Sequence, residues 1–201
     1  MPLAENAPLV LLLVALGAYV LGSVPFGIVA ARLFGLGDLR AIGSGNIGAT
    51  NVLRTGNKPA AALTLVGDAG KGALAVLVAR ALLGEDAAQV AGLAAFFGHL
   101  FPVFLAFRGG KGVATFLGVL IALAWPVGLS ACGIWLVVAA GLRYSSLAAL
   151  GAALSAPVSA HIWGRESVVM LAIALAFLVF VTHRSNIHRL AAGTEPRIGK
   201  S

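Results

Sequence analysis

Residues 108–126 read Arg108-Gly109-Gly110-Lys111-Gly112-Val113-Ala114-Thr115-Phe116-Leu117-Gly118-Val119-Leu120-Ile121-Ala122-Leu123-Ala124-Trp125-Pro126. The reading of this stretch decides the fold, because it sits mid-chain in a sequence that is 60% hydrophobic and 10% charged. A mean hydropathy of +0.99 and recurrent apolar runs of bilayer-spanning length exclude an ordinary soluble domain. They predict an all-α integral membrane protein. Gly112–Ala124 is short for a crossing, about 20 Å at 1.5 Å per residue, so it either tilts across or crosses only in part. Counted as a crossing, it makes seven: Pro8–Phe34, Lys58–Leu83, Ala87–Phe107, Gly112–Ala124, Pro126–Gly141, Tyr144–His161 and Ser167–Thr182.

Working outward, Trp125-Pro126 breaks the long apolar stretch once, since proline removes a helix hydrogen bond and favours a first-turn position. Arg143, with Ser145 and Ser146, breaks it again. The first run could be mistaken for a signal peptide, but it carries Glu5, lacks leading cations and continues to Phe34, so it reads as a retained span. With 201 residues the expectation is one membrane-embedded domain, 1–201. The lone Cys132 excludes an internal disulfide framework and reads as packing.

Orientation follows from the positive-inside tendency. Seven crossings with the N-terminus outside and the C-terminus cytoplasmic gather Arg32, Arg40, Arg54, Lys58, Arg108, Lys111, Arg143, Arg184, Arg189, Arg197 and Lys200 on the cytoplasmic side. Glu85, Asp86 and Glu166 then fall outside, with Trp125 and Trp163 at outer span ends. The net charge of +7 is explained by topology and anionic lipid, so no nucleic-acid partner is expected.

Three polar segments lie on that one face. In Gly43-Ser44-Gly45-Asn46-Ile47-Gly48-Ala49-Thr50-Asn51 with Arg54, the G-x-G-x-x-G spacing lacks a preceding strand and does not support a dinucleotide site. Its donors Ser44, Asn46, Thr50 and Asn51, followed by Arg54, suit a small ligand with hydroxyls and a phosphate, though a capped polar turn would use the same residues. Thr50 and Arg54, four apart, share a face on a short helix.

The second segment is the glycine block. It is no P-loop, since Leu105 and Gly112 stand where the motif needs glycine and a hydroxyl residue. Phosphate chemistry survives without that fold: Gly109, Gly110 and Gly112 permit close backbone approach, Arg108 and Lys111 bring charge, and a helix opening over Gly112–Thr115 favours an anion. The competing reading is that the two cations only fix topology. His99, just before the block, reads as an orienting residue.

In the third segment, His183 and Asn186 are three apart and point to one side, ahead of a basic tail suited to anionic lipid. Asp68 and Lys71 lie inside the second span at i,i+3 spacing, where ionisable groups are costly and pair or face a polar interior. They are either a structural ion pair or direct ligand contacts. Gly70-Lys71-Gly72 echoes Gly110-Lys111-Gly112, too short an echo for a repeat. No metal-ligand spacing is present, so no metal or other cofactor is expected.

Ser44 to Asn51 with Arg54, His99 to Thr115, and Thr182-His183-Arg184-Ser185-Asn186-Ile187 with Gly193 to Glu195, in this order, resemble the acyl-phosphate-dependent glycerol-3-phosphate acyltransferase family (PlsY) over nearly the whole chain. The resemblance implies a multi-pass enzyme of the bacterial inner membrane with a cytoplasm-facing active site. It would transfer a fatty acyl group from acyl phosphate to sn-glycerol 3-phosphate, giving 1-acylglycerol 3-phosphate (lysophosphatidic acid) and phosphate, the first step of phospholipid synthesis. It also implies a functional link to an enzyme that produces acyl phosphate. No histidine here is followed, after four intervening residues, by aspartate, as in acyltransferases that use other donors.

On this reading Arg54 and Lys111 hold glycerol 3-phosphate, and Ser44, Asn186 and His183 orient its hydroxyls. The glycine-block N–H groups, with Thr50 and Asn51, hold the acyl phosphate and polarise its carbonyl. Asn46, Thr115, Asp68 and Lys71 complete the candidate binding set. The base is either His183 or a phosphate oxygen of the donor. The alternative from another class is a transporter of a phosphorylated metabolite, for which midplane Asp68 and Lys71 are the motivating feature.

Overall fold

The computed structural model describes residues 5–199; Lys200, assigned above to the cytoplasmic set, lies outside the described residues. Among the described residues there are ten α-helices and no strand. Pro8–Leu33, Lys58–Leu83, Glu85–Leu105, Trp125–Leu142 and Ser145–Ile162 are long and apolar enough to cross a bilayer, and Glu166–Thr182 with Arg184–Ala191, bent by 62°, make a sixth when taken together. The chain is a multi-pass helical membrane protein.

The expected first span is broken: α1 (Pro8–Gly22) and α2 (Phe26–Leu33) are separated at Ser23–Pro25, where Pro25 cannot donate to the helix ladder. α3 (Ala49–Leu53) is a short helix on which Thr50 sits, with Arg54 as its C-terminal cap. α4 (Lys58–Leu83) starts where Asn57 caps the Ala60 N–H at 2.9 Å and ends at Gly84, whose φ is +89°. α5 (Glu85–Leu100) takes Glu85 and Asp86 into its first turn, next to the positive end of its dipole. It stops at Leu100, short of the expected Phe107, because Pro102 follows and Ala106 and Phe107 adopt positive φ. Hydropathy continues through this stretch, but the helix does not.

α6 (Val113–Leu123) has 11 residues, about 16 Å of helix, roughly half the thickness of a hydrocarbon core. α7 (Trp125–Leu142), α8 (Ser145–Ile162), α9 (Glu166–Thr182) and α10 (Arg184–Ala191) complete the chain. The breaks expected at Trp125-Pro126 and at Arg143 are both present, the second with Arg143 at φ +61°.

The chain divides into two compact units, Pro2–Leu123 and Ala124–Ser201. In the first, α4 packs against α2, α3, α5 and α6, and α1 against α5. Small residues set these distances, as expected where lipid tails offer no hydrophobic drive for association. A Cβ on Gly22 would run into the Ala95 backbone, and one on Gly118 into that of Ala69. Arg80 closes one end of this unit, pairing with Glu85 at 2.8 Å and donating to the Ala122 and Leu123 carbonyls. In the second unit α8 lies between α7 and α9, with α10 against α8 and α9.

Candidate active site

The loop before α4 is organised by Asn51, which is buried. Its Oδ1 accepts from the Ser44 N–H (3.0 Å) and hydroxyl (3.3 Å), and its Nδ2 donates to the Leu39 (2.9 Å) and Asn46 (2.7 Å) carbonyls. Both amide donors are therefore engaged by the loop itself, and the amide oxygen holds Ser44. Gly43, at φ +52°, leaves room for the Arg54 side chain: a Cβ there would lie 2.6 Å from Asn51 Oδ1 and 2.7 Å from Arg54 Cδ. Asn46 Oδ1 is buried with no hydrogen-bond partner among the described residues.

The glycine block folds back along the end of α5. Gly109 N–H donates to the Leu100 carbonyl (3.1 Å) and Gly110 N–H to that of His99 (3.2 Å). The arrangement expected from sequence, with all the glycine N–H groups turned toward an anion, is therefore narrowed: these two are occupied internally. Gly112, at φ +82°, turns the chain into α6, whose first turn opens beside Lys111 as expected. Arg108 is tied down by its carbonyl, which accepts from Arg40 Nη2 at 3.0 Å.

Behind the block, Asp68 and Lys71, placed by sequence in the candidate binding set, form an ion pair 2.9 Å apart, both almost fully buried. Lys71 Nζ also donates to the Val24 carbonyl at 2.7 Å, the acceptor exposed by the break between α1 and α2. Thr115 Oγ1 donates to the Asp68 carbonyl at 2.8 Å. These contacts are internal to the Pro2–Leu123 unit.

In the Ala124–Ser201 unit the hub is Glu195, to which sequence reasoning gave no role. Its Oε1 accepts from Ser146 Oγ (2.7 Å) and Asn186 Nδ2 (2.6 Å), and its Oε2 from Arg189 Nε (2.7 Å). The available signal was that no other acid follows Glu166 in a basic terminus. His183 Nδ1 lies 2.8 Å from the Val179 carbonyl. A carbonyl only accepts, so the proton is assigned to Nδ1, the tautomer whose Nε2 is able to take a proton.

Burial opposes the Glu195 charge, but the hydrogen bonds from Ser146, Asn186 and Arg189, with the guanidinium's charge, outweigh it and hold the carboxyl below its ordinary 4.5. The hub thus stabilises the C-terminal segment fully above that value and loses its contribution as pH falls through the depressed one. Hydrogen exchange at Thr194 and Ile198, whose N–H groups donate to the Arg189 and Arg143 carbonyls, is expected to lose protection in that acid range. Glu195→Gln is expected to remove this pH dependence and to leave both amides less protected at pH 7.

Taken together these features define a helical membrane protein carrying a basic, glycine-lined polar segment and a second histidine–asparagine segment. Residues 12–193 match the family described as glycerol-3-phosphate acyltransferase. Relatives bearing that name include one from Jannaschia sp. (strain CCS1), 68% identical over 100% of this chain and 98% of its own, and one from Dinoroseobacter shibae, 63% identical over 99% and 98%. The fold matches the crystal structure of PlsY, an integral membrane glycerol 3-phosphate acyltransferase, in its glycerol 3-phosphate form, with a TM-score of 0.88, 42% identity, and coverage of 94% of this chain and 96% of that one. The lysophosphatidic acid form of PlsY matches with a TM-score of 0.85 and 39% identity, covering 94% of this chain and 95% of that one. This chain belongs to the glycerol-3-phosphate acyltransferase family.

Proposed function

We infer that this chain is a membrane acyltransferase that transfers a fatty acyl group to sn-glycerol 3-phosphate, giving lysophosphatidic acid in phospholipid biosynthesis. The observation that carries this is the match to PlsY, whose solved forms include one with glycerol 3-phosphate and one with lysophosphatidic acid, over nearly the full length of both chains. The donor we propose is acyl phosphate, supplied by a separate enzyme that makes it. We further propose seven crossings, with α6 as the short seventh, the N-terminus outside, and the polar segments facing the cytoplasm from the inner membrane. The support is the gathering of cations that this arrangement gives.

In the Pro2–Leu123 unit we assign Arg54 and Lys111 to the phosphate of glycerol 3-phosphate and Ser44, held by Asn51, to its hydroxyls. The unpartnered Asn46 Oδ1 is an acceptor, which suits a hydroxyl better than a phosphate. Thr50, the close approach allowed by Gly109, Gly110 and Gly112, and the first turn of α6 near Thr115 are assigned to the acyl phosphate. In the Ala124–Ser201 unit Asn186 and His183 are assigned to orienting the attacking hydroxyl. An acyl phosphate is already activated, so placing that hydroxyl at attack distance supplies much of the rate. The hydroxyl oxygen attacks the acyl carbonyl, phosphate leaves with the electron pair of the broken bond, and the hydroxyl proton passes to a base. The Nδ1–H tautomer of His183 favours its Nε2 for that step.

Purified protein in detergent should release phosphate only when palmitoyl phosphate and glycerol 3-phosphate are both present. His183→Gln should lower kcat by at least about a hundredfold; a smaller loss moves the proton to a donor phosphate oxygen. Turnover with either substrate alone, or none with both, overturns the reading. The transporter alternative loses its motivating feature, because Asp68 and Lys71 are buried against each other and the Val24 carbonyl.

A further inference from the structure

We propose that Asp68 and His99 form a positioning unit that holds both ends of the glycine block around Lys111. This rests on the assignment of that block to phosphate. Asp68 acts through two arms. Its carboxylate Oδ1 faces His99 Nδ1 at 3.5 Å, while Lys71 Nζ, 2.9 Å from the same oxygen, balances its charge. Its backbone carbonyl accepts from Thr115 Oγ1 at 2.8 Å, just past the far end of the block.

His99 continues the first arm. The ring fills the space beside Gly110 that a side chain would need: a Cβ there would lie 3.1 Å from Cε1 and 3.3 Å from Cδ2, and closer still to Nε2. The His99 carbonyl receives the Gly110 N–H, and the next carbonyl along α5, that of Leu100, receives the Gly109 N–H. One edge of the imidazole thus faces the Asp68 carboxylate and the other lies against the block. Lys111 stands between the Gly110 contact and the Thr115 contact.

Asp68, Lys71 and His99 are 2%, 3% and 5% exposed. Ionisable groups buried to this degree carry a desolvation cost that apolar residues of similar size would avoid, so packing alone does not account for them. A charged brace does, because a displacement of about 1 Å at a substrate-holding loop can cost about a hundredfold in rate.

The test is steady-state kinetics of the full chain in detergent. His99→Leu removes the nitrogen that faces Asp68, whereas His99→Asn keeps an N–H at a similar place. His99→Leu is expected to raise KM for glycerol 3-phosphate at least tenfold with less than a threefold change in kcat, and His99→Asn to restore KM to within threefold of wild type. An unchanged KM, or a loss confined to kcat, overturns the proposal.

Lys111→Ala separates the two layers of the argument. If it raises KM for glycerol 3-phosphate while His99→Leu does not, positioning fails and the phosphate assignment stands; if it leaves KM for both substrates unchanged, the phosphate assignment itself fails. Should His99→Leu not fold, Asp68→Asn, of nearly equal volume, is read by hydrogen exchange. Exchange at Gly109 and Gly110 should quicken at least tenfold while residues 87–95 of α5 keep their protection. Unchanged exchange at the two glycines overturns the brace.

Discussion

Gly109→Ala is expected to reduce phosphate release from palmitoyl phosphate and glycerol 3-phosphate by two orders of magnitude or more, while Gly70→Ala leaves it near the wild-type rate. A Cβ at Gly109 would strike the carbonyl oxygens of His99 and Leu100 and come within 2.5 Å of Pro102 Cδ. These obstacles are backbone and a ring, so nothing flexible can move aside. The Gly109 N–H is also the donor to Leu100, so the methyl cannot enter without pulling the block off α5. A shift near 1 Å at a substrate-holding loop suffices for a loss of this size. Gly70, by contrast, has nothing within 4 Å of its would-be Cβ and lies inside α4, where alanine is the better helix former. Steady-state assays of both proteins at matched amounts of folded enzyme decide it, and equal activities would remove the block from the site.

Lys71→Met is expected to destabilise the protein by about 3–5 kcal/mol, the range for breaking a buried ion pair. The reason is the partner left behind: Asp68, 2% exposed, would lose the ammonium that lies 2.9 Å from its carboxylate. The double variant Asp68→Asn with Lys71→Met should recover most of that loss, since an uncharged pair of similar volume carries no stranded ion. It should not recover KM for glycerol 3-phosphate, because the arm through His99 is still weakened. Thermal unfolding in detergent of the two single variants and the double forms a cycle. A double variant as unstable as the sum of the singles would show that the two residues do not act as a pair.

The parts of the fold legible in the sequence rest on local chemistry. Trp125-Pro126 and Arg143 end helices by their own backbone and charge, and Asp68 and Lys71 pair at a spacing the helix imposes. The break before Pro25 and the early end of α5 at Leu100 leave no mark in the hydropathy pattern, because the residues on either side stay apolar and hydropathy does not separate a helix from a tight turn. In the site, the residue types were legible and their partners were not. That Gly109 and Gly110 turn inward depends on which α5 carbonyls the chain folds back onto. Asn51 serves Ser44 seven residues away, and Glu195 meets Ser146 forty-nine residues away. His99 joins Asp68 only because α4 packs on α5, which no spacing along one segment reveals.

The break between α1 and α2 bears on how the chain holds a charge in the bilayer. α4 carries a carboxylate and an ammonium three residues apart, so this central pair adds no net charge to the stretch between its end cations Lys58 and Arg80. The lysine head finds a second acceptor beyond the Asp68 carboxylate in a carbonyl 47 residues earlier, at the break between α1 and α2. A lysine in the middle of a membrane helix is tolerable here because one acceptor lies a single turn away and the other belongs to a segment earlier in the chain.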